Sequence, residues 1–304
     1  MGMTAMSHAG ERCLWLLGFC LIAGTLTARE PDRIIDVWPA LAPGETTKNA
    51  GTPVIRKTVE TPAATRIGSI THPTLSFYDP PAEKKNGAVV LICPGGGYNY
   101  VVVDKEGSEA AEWLNAQGVT AAVLRYRTKD MSTPMWKRPL QDAQRAMSLL
   151  RAQAAEQKYD TQRIGIMGFS AGGNLAALTA TRYANRSYPP VDAADNGSCR
   201  PDFALLIYPW QLLDEKTQQL SVEFPITAQT PPTFIIHTHD DGSTSLGPVW
   251  FYARLKELKV PAEMHIYQAG GHGYGLRPVN GTAIHKWVDP ASEWLVLQKI
   301  VSAK

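Results

Sequence analysis

Apolar positions along this chain fall into short continuous runs separated by longer segments of helical period. Ala88 to Cys93 (AVVLIC), Thr120 to Arg127 (TAAVLRYR) and Arg163 to Phe169 (RIGIMGF) are nearly unbroken apolar runs. Phe203 to Pro209, Thr233 to Thr238 and Ala262 to Tyr267 repeat the pattern. Runs of this length predict strands buried on both faces. Between them, Gly107 to Gly118, Leu140 to Ala155, Ala171 to Tyr183, Val249 to Leu258 and Pro290 to Val301 carry a helical period. Strands alternating with helices predict βαβ units, a mostly parallel central sheet and helices on both of its faces. Right-handed crossovers then bring the strand C-termini to one rim, where ligands bind in such folds. Residues 29 to about 86 are rich in Pro, Gly and Thr and offer few strand candidates, Thr74 to Asp79 among them.

The first residues break this pattern. Arg12 precedes the apolar stretch Cys13 to Leu26, and Thr27, Ala28 and Arg29 follow. A charged start, a short apolar middle and small residues at its end describe a secretory signal peptide. The stretch is short for a membrane span, which needs about 20 apolar residues. The expected organisation is therefore a signal peptide over residues 1–28, cleaved near Ala28, and one catalytic domain over 29–304. The mature protein is expected to be secreted or periplasmic, with no membrane attachment.

Composition narrows the partners. The chain has 304 residues with 30 Lys and Arg against 28 Asp and Glu, a formal net charge of +2. No long basic run appears, so nucleic acid is not an expected partner and a neutral or weakly charged substrate is. Of four cysteines, Cys13 and Cys20 lie in the leader. Cys93 and Cys199 read as buried thiols, with no disulfide framework and no zinc-like spacing. No metal or cofactor is expected; His237 and His239, two apart at a strand end, are the only pair whose shared face suggests metal ligation.

Chemistry enters with Gly168-Phe169-Ser170-Ala171-Gly172, a G-x-S-x-G sequence. The motif alone is weak, but here a strand pattern ends at Phe169 and a helix pattern begins at Ala171. That is the strand-turn-helix setting a nucleophile elbow requires, with Ser170 pushed out at the rim over a helix N-terminus. The bland alternative is a serine that caps the helix. The glycine run Gly95-Gly96-Gly97 after the Ala88 to Cys93 strand suits an oxyanion loop, and the amides of Gly96, Gly97 and Ala171 are its candidate donors. His272, in the turn Gly270-Gly271-His272-Gly273 after the last strand, is placed to act as general base. Asp240 and Asp241 follow the Thr233 to Thr238 strand, in the chain order serine, acid, histidine. Asp240 is preferred as the acid, because Asp241-Gly242 reads as turn chemistry; Asp214 is a distant third. Tyr98, Tyr100, Trp210 and Tyr274 adjoin strand-end loops and are candidate substrate contacts.

Taken in order, GGGY, GFSAGG, HDD and GGHGYGL resemble secreted α/β-hydrolase esterases acting on acylated plant polysaccharides, especially acetylxylan esterase-like proteins. Val37-Trp38-Pro39, Ala42-Pro43-Gly44-Glu45 and Pro139 to Met147 resemble the same group. The chain departs from it after the acid, where Gly242-Ser243-Thr244-Ser245 replaces a Val-Pro pair. The resemblance implies a Ser-His-Asp acyl-enzyme mechanism on an acylated carbohydrate, most simply removal of acetyl groups from xylan. Feruloyl esterase, short-chain carboxylesterase and peptidase are alternatives on this fold, and a non-catalytic carbohydrate-binding protein is the alternative outside enzymes. Roughly twenty residues separate Pro209 from Thr233, which leaves little or no room for a cap there.

Overall fold

The computed structural model describes residues 1–2, 29–56, 60–129 and 134–303. The predicted signal peptide lies outside the described residues, apart from Met1 and Gly2. Eight strands form the central sheet: β1 (Arg33–Asp36), β2 (Thr74–Tyr78), β3 (Val89–Cys93), β4 (Thr120–Arg125), β5 (Ile164–Phe169), β6 (Ala204–Ile207), β7 (Thr233–Thr238) and β8 (Ala262–Tyr267). Their order is β1-β2-β4-β3-β5-β6-β7-β8. β2 runs antiparallel to both β1 and β4, while every pairing from β4 to β8 is parallel. This is the α/β-hydrolase fold, as the alternation of runs predicts.

The apolar runs split by parity. Val89, Leu91 and Cys93 of β3 pack into one core with Leu140, Ala143 and Met147 of α2 (Lys137–Ala152). A four-residue helix, α3 (Ala154–Gln157), follows it. α4 (Ala171–Thr181) and α5 (Leu246–Glu257) join the same side through Leu175 and Phe251. Val90 and Ile92 enter a second core with Ala111 and Leu114 of α1 (Glu109–Ala116) and Trp294 and Leu295 of α6 (Val288–Leu297). A strand with apolar residues on both faces has helices on both faces to receive them. Every residue of α4 is buried, which explains why its sequence, AGGNLAALTAT, has no polar face.

β1 escaped the pattern: its four residues alternate half-buried and exposed at the sheet edge, and only its antiparallel partner β2 defines it. Residues 37–45 beyond it are fastened to α2 by a buried polar cluster. The Trp38 indole N–H donates to Asp142 Oδ1 at 2.8 Å. Arg127, 1% exposed, binds the same carboxylate through Nε at 3.0 Å and donates to the Pro43 carbonyl at 2.7 Å. Two sequence stretches that carry the family resemblance thus meet at one structural joint.

Between Pro209 and Thr233 the chain forms only a small hairpin of Leu213–Asp214 with Gln219–Leu220, plus turns. A second small sheet, Thr52–Pro53, Arg66–Gly68 and Tyr100–Val102, lies beside the loop after β3, where the Val102 N–H donates to Gly95 O at 3.1 Å. Cys93 and Cys199 are both buried and unbridged. Among the described residues no helix is long and apolar enough to cross a membrane.

Candidate active site

The chain leaves β3 toward β4 and leaves β5 toward β6, so the loops after β3 and β5 diverge at a topological switch point. Ser170 stands there at φ 53°, ψ −119°, a backbone conformation rare for any residue but glycine. It is held from two sides. Its N–H donates to Ile207 O at 3.0 Å, and its carbonyl accepts from Asn174 N and Trp210 N, each at 3.0 Å. The flanking glycines are dictated by close approach. A Cβ on Gly168 would fall 1.9 Å from Gly172 O, and one on Gly172 would fall 1.9 Å from Cys93 O. The serine is therefore part of the junction of β5, α4 and β3, and no Ser170 side-chain capping bond to α4 is present.

The glycine turn after β8 carries His272 to the serine. Gly271 (φ 64°) and Gly273 (φ 72°) flank the histidine, and added Cβ atoms there would meet nothing within 4 Å. These two glycines supply left-handed backbone rather than space. His272 Nε2 lies 2.7 Å from Ser170 Oγ. Its other ring nitrogen, Nδ1, lies 2.6 Å from Oδ2 of Asp241.

The acid neighbour of the imidazole is thus Asp241, and the preference for Asp240 is corrected. The turn after β7 brings residue 241 back over residue 237, with His237 Nε2 at 3.8 Å from Asp241 Oδ2. The Asp241 carboxylate is buried, and Oδ1 accepts from Ser243 N at 2.7 Å. The Gly242-Ser243 turn chemistry that argued against this residue instead supplies its second partner. Asp240 points to solvent and grips the histidine turn from outside, with Oδ1 2.9 Å from Gly271 N and Oδ2 3.1 Å from Gly270 N. Those two amides hold its pKa below the ordinary carboxylate range. Asp214 takes no part, being half-buried in its own hairpin turn, where it accepts from Lys216 N and Thr217 N. His237 is fully buried, and burial pushes its pKa down, which favours the neutral ring beneath Asp241. Among the described residues no group of three or more His, Cys, Asp or Glu is placed to hold a metal ion.

On the other side of Ser170 lies the loop after β3. Among the described residues no hydrogen bond takes the amide protons of Gly96, Gly97 or Ala171. Gly96 and Gly97 line a cavity of about 500 Å³ together with Ser170, His272 and Gly273. The loop is anchored by a group the sequence reading missed. Glu106 is buried beneath it, accepting from Gly95 N at 2.8 Å and from the Tyr208 hydroxyl at 2.8 Å. Tyr208 in turn accepts from Gly275 N at 2.9 Å, so one buried carboxyl ties the β3 loop to the histidine loop. Burial drives the Glu106 pKa up against these hydrogen bonds. The signal for it was faint: an acidic residue in a short π-helical turn, Asp104–Ser108, just before α1.

The aromatic candidates divide. Tyr100 lines the cavity. Tyr98 is buried, with its hydroxyl donating to Asn174 Oδ1 at 2.7 Å, and Tyr274 is buried against the Tyr208 ring. Neither presents a face to the cavity, because both side chains fill space under the loops that carry them. Trp210 is partly buried at the edge of the α4 core.

The BD-FAE family model matches residues 75–203. The chain is 32% identical over 204 residues to endo-1,4-beta-xylanase B of Butyrivibrio fibrisolvens, covering 60% of this chain and 32% of that protein. It is 27% identical over 218 residues to acetylxylan esterase of Xylanibacter ruminicola, covering 64% of this chain and 42% of that protein. The chain therefore spans about a third to two fifths of the length of these curated relatives. Among solved structures, the acetyl ester-xyloside bifunctional hydrolase of Caldicellulosiruptor lactoaceticus matches with a TM-score of 0.72 at 28% identity, covering 90% of this chain and 98% of that one.

Proposed function

We propose that this chain, an α/β-hydrolase-fold protein that resembles acetylxylan esterases, hydrolyses carboxylic esters of plant polysaccharides, acetylated xylan foremost, through Ser170, His272 and Asp241. The observation that carries the reading is the unbroken line from Asp241 Oδ2 to His272 Nδ1 (2.6 Å) and from His272 Nε2 to Ser170 Oγ (2.7 Å), opening on a cavity. Ser170 Oγ attacks the ester carbonyl while Nε2 takes its proton. Asp241 holds the N–H on Nδ1, leaving Nε2 free to accept, and stabilises the imidazolium that forms. On this reading the amides of Gly96, Gly97 and Ala171 receive the developing oxyanion, and the α4 dipole adds to them. His272 then returns the proton to the sugar oxygen, which leaves, and water activated by the same imidazole cleaves the acyl-enzyme. The named acetylxylan esterase and acetyl ester-xyloside hydrolase among the similar proteins support the acetyl and xylan assignments.

Glycoside hydrolysis is not part of the reading. The carboxyls at the cavity are Glu60, ion-paired with Arg66 and Lys105, and Glu106, committed to Gly95 and Tyr208. Neither is placed as an acid or base free to act on a glycosidic bond. The xylanase name belongs to a relative of which this chain matches only 32%.

Labelling with a serine-reactive phosphonate, read by intact mass with and without Ser170→Ala, tests the mechanism. The parent is expected to gain one adduct and the variant none, with the variant's turnover of 4-nitrophenyl acetate falling by about 10⁴-fold or more. An adduct on the variant, or a rate within tenfold of the parent, overturns the assignment.

A further inference from the structure

The wall of the cavity beside Ser170 is cationic. Arg56, Arg66 and Lys105 line it, and the single carboxylate in that wall is Glu60. Arg66 is 8% exposed; Nη2 pairs with Glu60 Oε1, Nη1 donates to Ala64 O at 2.9 Å, and Nε is buried without a partner. Lys105 Nζ lies 3.3 Å from Glu60 Oε2, so one carboxylate serves two cations. Arg56 is exposed at the lip and makes no ion pair among the described residues. The remaining carboxyl, Glu106, sits at the floor beneath the β3 loop. A net charge of +2 over the whole chain gives no hint of this local excess.

Such an arrangement asks for an anion. Three cations against one carboxylate leave that wall with excess positive charge, and the planar fork of the exposed Arg56, unpaired among the described residues, suits a carboxylate. The cavity, about 500 Å³, is far larger than an acetyl group requires, so its remainder is available to the alcohol side of the ester. In plant cell-wall glycans the charged group on that side is the uronate carboxylate. We propose that the ester cleaved at Ser170 is borne on an acidic oligosaccharide, whose uronate carboxylate is received by Arg56 at the cavity lip, in the positive field of Arg66 and Lys105. The proposal rests on the esterase reading and narrows its substrate from acetylated xylan in general to uronate-bearing segments.

The test compares an acetylated xylo-oligosaccharide carrying a glucuronate branch with the same compound after reduction of its carboxyl to the alcohol. At low ionic strength kcat/KM for the acid is expected to exceed that for the neutral compound by about tenfold or more. The ratio should shrink as salt is added and fall toward one in Arg56→Ala, a substitution at an exposed site that leaves the core untouched. Equal kcat/KM for the two compounds in the parent enzyme overturns the proposal while leaving the esterase reading intact. Binding to the Ser170→Ala protein, followed by calorimetry with the deacetylated acidic and reduced oligosaccharides, gives a second readout independent of turnover. Tighter binding of the acid supports the anion site even if no ester is cleaved, and equal binding overturns it.

Discussion

The two adjacent aspartates offer the sharpest test of the site, because they differ in what they hold. Replacing Asp241 by Asn keeps the shape of a buried side chain 2.6 Å from His272 Nδ1 but turns an acceptor into an amide. If the amide N–H₂ faces Nδ1, that nitrogen must accept, the ring proton moves to Nε2, and Nε2 can no longer take the proton of Ser170. Loss of the acid in a serine triad lowers kcat by about 10⁴-fold, equivalent to about 5.5 kcal/mol of barrier. Asp240→Asn instead weakens the grip on Gly270 N and Gly271 N at the protein surface, and an amide oxygen still accepts one of them. Its kcat is expected to stay within the same order of magnitude as the parent's. The assay is steady-state hydrolysis of 4-nitrophenyl acetate near neutral pH, with circular dichroism to verify the fold of both variants. If Asp240→Asn loses as much rate as Asp241→Asn, or Asp241→Asn keeps more than about a tenth of the parent rate, the assignment of the acid is wrong.

Further expectations follow from the anchoring groups. Glu106→Ala removes the acceptor of Gly95 N and should lower kcat for an aryl acetate, whereas Glu106→Gln, whose amide oxygen still accepts from Gly95, should retain more of it. Because burial raises the Glu106 pKa above the ordinary 4.5, its favourable contribution is present below 4.5 and is lost as pH rises through the raised value. Urea unfolding at acid and neutral pH should therefore show the parent losing stability relative to Glu106→Gln across that window; parallel curves would argue against a strained carboxyl. Gly172→Ala places a Cβ 1.9 Å from Cys93 O, a backbone atom that cannot swing aside, and should destabilise by about 3 kcal/mol or more in the same unfolding assay. Asp142→Ala leaves Arg127 in the core with only Glu45, 3.7 Å away, as its carboxylate partner and should lower stability by about 3 kcal/mol, while kcat of the protein that remains folded stays at the parent level.

Much of this was legible in the sequence because the relevant signals are local. Each parallel strand is an apolar run with its own limits, so β7 and β8 coincide with Thr233 to Thr238 and Ala262 to Tyr267 as read from the chain. G-x-S-x-G between a strand and a helix fixes an elbow through contacts within a few residues. The choice between Asp240 and Asp241 was different in kind. It depends on the sense in which two residues beyond β7 turn, and that is set by Ser243 N and by the glycine turn after β8, some thirty positions away in the chain. Glu106 and the cationic wall were hidden for the same reason. Their partners, Gly95, Tyr208, Glu60 and Arg66, come together only when separate loops meet at the rim. Tyr98 and Tyr274 misled because position at a strand end does not say whether a ring faces the cavity, as that of Tyr100 does, or fills the space under its loop.

The small sheet of Thr52–Pro53, Arg66–Gly68 and Tyr100–Val102 gives the molecule a division of labour that bears on its history. The serine, the imidazole and the acid are all mounted at ends of strands in the large sheet, where a change in spacing would disturb the packing of the whole core. Arg56, Glu60 and Arg66 are mounted on or beside the outer sheet, which joins the rim through the loop after β3 and through Arg277, whose guanidinium donates to Pro62 O. Selection acting on the outer sheet can exchange a cation for a neutral or acidic residue, or alter the reach of the lip, without moving a catalytic atom. On the proposed esterase reading, descendants of one ancestral chain can thereby diverge in the alcohol side of the esters they accept while their chemistry stays constant, and the residues that record such divergence are to be sought between positions 52 and 68 rather than around the serine.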